Sequence, residues 1–355
     1  MRFFRNLCRP VLSTFPQRHL SRKSLAVMYS EEGDPRRVLR LTSTPVPDPG
    51  HGEVLVRMLA SPINPSDINM IQGVYPQRPP FLPAVAGNEG VGEVVETGPG
   101  VEYLKTGDWV VPDKFCWGTW RTLVIGREVS LIRVPRDVPL ADLAILSVTT
   151  GTAYRMLKDF EHLEPGDVVL QNGANSAVGK ALIQLASHFG LQTVNVVRDR
   201  PDMDALVSEL KRLGATHVIP DTGLRSQETK DLMKSLPAPR LACNCVGGKQ
   251  TVDLVRYLAE EGSVVTYGAM SKQPLFIPAG MFIFKDYRMR GIWVTKWYSD
   301  NPLVKRQAMW HELCELTKKG VLESPNHRMV PLSSFQDGVA KSMDDFTNEK
   351  QILSM

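Results

Sequence analysis

Gln171-Asn-Gly-Ala-Asn-Ser-Ala-Val-Gly179 decides the fold of this 355-residue chain. In front of it, Val168–Leu170 is an apolar, β-branched run that predicts a buried strand. Behind it, Val178, Leu182, Leu185, Ala186 and Phe189 recur at helical spacing and predict an amphipathic helix. Small residues at Gly173, Ala174 and Ala177 let backbone amides approach a pyrophosphate, and Gly179 lets the helix lie close to the strand. The helix start, with Asn175, Ser176, Ala177 and Val178, offers free N–H groups and a partial positive charge. The glycines depart from strict G-x-G-x-x-G spacing, so the reading rests on the strand–turn–helix context; a tight turn without a ligand is the competing reading.

Outward from this turn the pattern continues. Thr193–Val197 reads as a second strand, 202–213 as a helix, and 216–219, 241–246 and 263–267 as further strands, which together predict a doubly wound parallel sheet. The second strand ends Val197-Arg198-Asp199-Arg200. An NAD site places an acid there for the ribose 2′-hydroxyl. Here Arg198 and Arg200 can fork onto a 2′-phosphate, which favours NADPH, with Asp199 orienting an arginine or facing solvent. A solvated basic loop is the other reading.

The first half has a different texture. Residues 38–60 read as two short strands, and six prolines between 61 and 83 (Pro62, Pro65, Pro76, Pro79, Pro80 and Pro83) predict a loop without regular structure. Glycine-punctuated apolar stretches at 85–97, 108–112 and 119–125 complete a small β-barrel-like domain over 31–135. Residues 140–158 read as a helix, as does Gln307–Lys319, and the chain ends in a charged-then-apolar segment from Asn348 to Met355.

Residues 1–30 carry six basic side chains (Arg2, Arg5, Arg9, Arg18, Arg22, Lys23) and no acid; the remainder holds 36 basic against 38 acidic residues. An Arg-rich, Ser-containing, acid-free start reads as a mitochondrial transit peptide over 1–28, against a basic tail without an address. The near-neutral body gives no reason to invoke nucleic acid. No apolar run reaches the roughly 18 residues of a membrane span. Five cysteines are too few for a disulfide scaffold, and Cys243 and Cys245, two apart in an apolar strand, read as buried spectators.

Several stretches carry a family resemblance: Ser61-Pro-Ile-Asn-Pro-Ser-Asp67, Leu82-Pro-Ala-Val-Ala-Gly-Asn-Glu-Gly90, Gly118-Thr-Trp-Arg-Thr122, Thr152-Ala-Tyr-Arg-Met156, Asn195-Val-Val-Arg-Asp-Arg-Pro201, Asn244-Cys-Val-Gly-Gly248 and Lys350-Gln-Ile-Leu353. In this order they resemble the mitochondrial trans-2-enoyl-CoA reductases (2-enoyl thioester reductases) of the medium-chain dehydrogenase/reductase superfamily. The resemblance implies an α/β protein with a GroES-like β-barrel catalytic domain (29–148 and 298–355) and a Rossmann NADP-binding domain (149–297). It also implies a matrix location and a homodimer. Zinc enzymes of the superfamily carry a Cys and a Gly-His-Glu where this chain resembles them with Asn64 and Gly87-Asn88-Glu89. Amides are poor zinc ligands, so no metal is expected.

The implied reaction, the last reductive step of mitochondrial fatty acid synthesis, moves hydride from NADPH to C3 of a trans-2-enoyl thioester, on coenzyme A or acyl carrier protein. Charge develops on the thioester oxygen and a proton reaches C2. Tyr75 matches the family's catalytic tyrosine, and a phenol is a neutral donor suited to an enolate; a tyrosine capping its loop is the alternative. Asn64 and Asn88 are candidates for orienting it. The resemblance assigns Thr149 (where the family usually has Asn), Tyr267, Gly268, Ala269, Met270, Ile292, Trp293, Val294 and Lys350 to the cofactor. Phe282, Phe284, Trp293 and Trp297 are candidates for an apolar acyl pocket. Lys285, Arg288, Arg290 and Lys296 are candidates for carrier phosphates. A quinone oxidoreductase, and a cofactor-binding interaction protein without turnover, remain as competing readings.

Overall fold

The computed structural model describes residues 22–345 and 348–355. The strand Val168–Asn172 lies at the centre of a six-stranded parallel sheet. Outward on one side follow Gln192–Val197 and His217–Pro220; on the other follow Leu241–Asn244, Ser263–Thr266 and Arg288–Gly291. The order reverses at the first strand, leaving a crevice at the carboxyl ends of the two central strands, where such sheets bind ligands. Near-continuous Val, Leu and Ile in these strands follows from burial on both faces. The last strand, Arg288–Gly291, escaped the sequence reading because its burial is low and it contains two arginines.

The other body is antiparallel for the most part. Glu53–Pro62 is its hub, pairing with Val91–Thr97, Leu123–Arg127 and Lys350–Ser354. Trp109–Pro112 and Leu131–Val134 extend one side, and His327–Pro331 the other, so the chain's end returns to the sheet of its beginning. A three-stranded sheet of Arg40–Val46, Arg22–Tyr29 and Ala84–Val85 folds against it.

Three expectations need correction. The proline-rich stretch is not all loop: Pro65–Ile71 is a helix, because Pro65 occupies its first turn, where no N–H is needed. Residues 140–158 are not one helix. Leu140–Ala144 and Gly151–Asp159 are separated by a π-helical turn, Leu146–Thr150, a form that recurs at functional sites. Finally, the leader assigned to 1–28 runs too far. Residues 1–21 lie outside the described residues, but Arg22–Tyr29 is a strand with Ala26 and Val27 fully buried and in register with Arg40–Val46.

One apolar core joins the two bodies. Ala60, Val91 and Val111 of the antiparallel body share it with Leu182, Leu185 and Val265 of the parallel one, and Met309, Trp310 and Leu313 of the helix Leu303–Lys318 complete it. Among the described residues no helix is long and apolar enough to cross a membrane.

The strand at 22–29 yields a test. A chain begun at Arg22 keeps the melting temperature of the folded body. One begun at residue 29 loses the strand's pairing and the burial of Ala26 and Val27, and melts lower by roughly 5 °C or more. Equal melting of the two in calorimetry would show that the strand adds nothing.

Candidate active site

The crevice is built by close backbone approach. Gly173 follows the first strand at φ +60°, and a Cβ there would lie 2.3 Å from the Cys245 sulfur. At Gly179 a Cβ would lie 2.6 Å from the Ala174 carbonyl oxygen, so the helix Ala177–His188 could not lie as it does with any side chain there. The Ser176 hydroxyl accepts from the Gly179 N–H at 3.1 Å and caps this helix.

Two asparagines that the sequence reading passed over hold the strand ends together. Asn172 Nδ2 donates to Asn244 Oδ1 at 2.8 Å, while Asn172 Oδ1 accepts from the Cys245 N–H at 2.8 Å. Their signal was an amide at the carboxyl end of each of two mostly apolar strands. Tyr267, Gly268, Ala269 and Met270 follow the next strand end, with the Met270 N–H bonded to the Cys245 carbonyl at 2.9 Å and its side chain exposed. Cys243 and Cys245 are buried, and burial pushes both thiols up.

At the end of the second strand Arg198 is exposed and Arg200 buried. The Arg198 guanidinium lies 3.3 Å from Asp345 and Arg200 donates to Asn348 Oδ1 at 2.8 Å; Asn175 Nδ2 reaches the same oxygen at 3.4 Å. Asp199 neither orients an arginine through a bond nor points at them: its carboxylate accepts from the Thr222 hydroxyl at 3.3 Å, on the exposed surface.

Tyr75 comes from the other body and meets this one. The helix Pro65–Ile71 runs into its loop, where Val74 N–H bonds the Asn69 carbonyl at 3.0 Å and Arg78 clasps Glu32 and the Gly73 carbonyl. The Trp293 indole N–H donates to Tyr75 Oη at 2.9 Å, with the rings edge to face at 6.2 Å. Burial raises the phenol's pKa, and the Asp67 charge adds to that, against the lowering effect of the Trp293 bond. Tyr75 is therefore a neutral donor at physiological pH. Ile292 is half-buried and Val294 buried on either side of Trp293.

Beneath the tyrosine loop lies a buried polar network where zinc ligands would stand. Asp67 Oδ1 accepts from Asn88 Nδ2 at 2.6 Å and Oδ2 from the Asn64 N–H at 2.8 Å. Glu89 accepts from Asn64 Nδ2 at 2.8 Å and, through its other oxygen, from the Val148 N–H at 2.7 Å. Lys350 donates to Asn64 Oδ1, and Cys116 N–H to Asn88 Oδ1 at 3.0 Å. Burial pushes Asp67 up to about 6 and Glu89 up to about 7, opposed by these bonds and by the Lys350 charge. Among the described residues no group of three His, Cys, Asp or Glu is placed to hold a metal. Thr149, buried, sits next to Val148 in the π-helical turn.

Comparison with known proteins agrees with this geometry. The Alcohol dehydrogenase GroES-like domain matches residues 50–136 and the Zinc-binding dehydrogenase domain residues 177–316. The mitochondrial enoyl-[acyl-carrier-protein] reductase of Homo sapiens is 49% identical over 330 residues, covering 93% of this chain and 88% of the human one. The chain belongs to the mitochondrial enoyl thioester reductases, within the medium-chain dehydrogenase/reductase superfamily. Among solved members of these reductases, the Etr1p complex with NADP and crotonyl-CoA superposes with a TM-score of 0.89 at 35% identity, covering 94% of this chain and all of that one. The mitochondrial 2-enoyl thioester reductase heterodimer Etr1p/Etr2p from Candida tropicalis gives 0.88, at the same identity and coverage.

Within this reductase frame not every sequence candidate reaches the crevice. Phe282 and Phe284 are exposed near the free edge of the parallel sheet, and Trp297 stacks with Arg155 at 4.5 Å. Lys285, Arg288 and Lys296 are already paired with Glu260, Glu261 and Asp300. Lys350, assigned to the cofactor by resemblance, has Asn64 as its bonded partner.

Proposed function

We propose that this chain reduces trans-2-enoyl thioesters to saturated acyl thioesters with NADPH, and that Tyr75 is its catalytic residue. The observation that carries the reading is the Tyr75 hydroxyl, brought from the antiparallel body against Trp293 of the dinucleotide-binding body, whose indole N–H it accepts. The cradle suits the cofactor: the Gly173 and Gly179 positions leave backbone room for a pyrophosphate, the Ser176-capped helix points its N–H groups there, and two guanidiniums stand at the second strand. Bound NADPH supplies a hydride for C3 of the enoyl chain. As the C2–C3 π bond opens toward C2 and the carbonyl, negative charge gathers on the thioester oxygen. The neutral Tyr75 phenol donates to that charge, and its pKa above the ordinary value keeps it from arriving as an anion. A proton that comes ultimately from solvent then adds to C2, completing a two-electron reduction of the double bond.

The group recognised is the conjugated thioester, which stays attached throughout to its carrier, coenzyme A or acyl carrier protein. Purified protein oxidises NADPH with trans-2-hexenoyl-CoA and not with a quinone; turnover with the quinone alone would replace this reading, and none with either would leave a binding protein. Tyr75→Phe lowers kcat at least about tenfold with little change in NADPH affinity. Arg198→Ala with Arg200→Ala weakens NADPH far more than NADH, measured by fluorescence titration; equal losses would contradict a 2′-phosphate contact.

The reading extends to assembly and place. A second copy of this chain covers the free edge strand Arg288–Gly291 and the neighbouring exposed Phe276, Ile283 and Phe284. Light scattering then gives a dimer, and Ile283→Asp with Phe284→Asp shifts it to monomer. The acid-free leader directs the chain to the mitochondrial matrix. Protease protection of imported protein in mitoplasts checks this, and digestion there would exclude the matrix.

A further inference from the structure

Glu89 joins the two halves of the site by one carboxylate. One oxygen takes the Val148 N–H, in the turn that carries Thr149; the other takes the Asn64 side-chain N–H, at the start of the helix leading to Tyr75. Both partners are donors. An amide in its place has to present a hydrogen to one of them, and a protonated acid offers one of them only the weaker hydroxyl acceptor, so the ionised carboxylate serves both best. Asn64 is pinned in turn: its oxygen takes Lys350, and its backbone N–H gives to Asp67. The direction of every bond in the chain Val148–Glu89–Asn64–Lys350 is thereby fixed.

We propose that Glu89 is a positioning residue, which as a carboxylate locks the cofactor-side turn 146–150 to the Tyr75-bearing segment. It replaces, with hydrogen bonds of fixed polarity, the rigidity a metal would give at this place. The charged and titratable groups facing it are Lys350 from the C-terminal strand, Asp67 from the helix before Tyr75, and Tyr298 from the helix Val294–Asp300. Of these only Lys350 favours the charge, and burial holds Glu89 up at about 7. Activity is therefore lost as pH falls through neutrality. Stability moves the other way: the folded state binds more protons than the unfolded one between the ordinary glutamate range and 7, so this group's contribution falls as pH rises. Protonation of Glu89 does not itself destabilise the fold, and thermal melting at pH 6 separates loss of rate from unfolding.

The proposal rests on the reductase reading for kcat alone; NADPH affinity tests it independently. Glu89→Gln is compared with N64D and with the double variant, using trans-2-hexenoyl-CoA turnover, NADPH fluorescence titration and thermal melting. Glu89→Gln alone sets two donors against each other at Asn64 or at Val148, and N64D alone sets two carboxylates together. Each lowers kcat about tenfold or more and weakens NADPH about fivefold. Together they restore an acceptor for every donor and place the charge beside Lys350, so the double variant recovers to within about threefold of wild type in both measures. The wild-type rate falls about tenfold from pH 8 to pH 6, and Glu89→Gln has no such limb. A single variant with wild-type affinity and rate, or a double variant no better than the worse single, overturns the proposal. If Glu89→Gln does not fold, the double variant decides alone: folded with NADPH affinity restored, it supports the lock; failing that, it refutes it. Absence of turnover in wild type would remove the reductase reading and leave the affinity comparison standing.

Discussion

The site exists because two bodies of different architecture share one apolar core. Tyr75 and Trp293 lie 218 residues apart, and their 2.9 Å hydrogen bond has no local reason to form. It forms because strands around Ala60, Val91 and Val111 pack on the helix and strands around Leu182 and Val265, with Met309, Trp310 and Leu313 between them. Burial of this kind is worth roughly 1.5–3 kcal/mol per large side chain, whereas a single hydrogen bond contributes about 1 kcal/mol net. The apolar core sets the relative placement of the bodies, and the polar contacts select a geometry within it.

Where a zinc enzyme of this architecture would hold a cation, the chain places two buried carboxylates, two buried carboxamides and a half-buried lysine. Such a group is costly unless every lone pair finds a donor, since an unsatisfied buried polar atom costs about 1–3 kcal/mol. Asp67 and Glu89 each meet two donors, and Asn64 and Asn88 use both their oxygen and their nitrogen. Asp67 also acts beyond the network: its charge raises the Tyr75 pKa and helps keep the phenol protonated. Amides here stand where zinc enzymes of the superfamily carry thiolate and imidazole, and they hold the two buried carboxylates in place.

The parallel sheet was legible from sequence because its strands are buried on both faces and read as apolar runs broken by helices of regular period. The edge strand Arg288–Gly291 was not, since low burial erases the signal. The helix Pro65–Ile71 was hidden because proline content alone does not distinguish a first-turn proline from an interrupting one. The strand Arg22–Tyr29 was hidden by its basic neighbours, as a leader and a short strand with basic ends can share composition. At the site, Tyr75, Arg198 and Arg200 were candidates from motif and resemblance, while their partners Trp293, Asp345 and Asn348 could not be read from sequence. The bridging role of Glu89 was beyond reach, for it depends on Val148, 59 residues away, and on which atoms donate.

The basic end of the second strand completes the argument for a phosphorylated dinucleotide. Arg198 faces Asp345 and Arg200 faces Asn348, both from the C-terminal segment. An exposed pair such as Arg198–Asp345 contributes only about 0–1 kcal/mol, and an amide oxygen is a neutral acceptor. A dianionic phosphate meeting both guanidiniums gains charge-assisted bonds roughly twice as strong as neutral ones. Asp199, which would repel that phosphate, is turned away onto Thr222. Because Asn348 lies two residues before Lys350, the same segment joins the basic end of the second strand to the network under Tyr75.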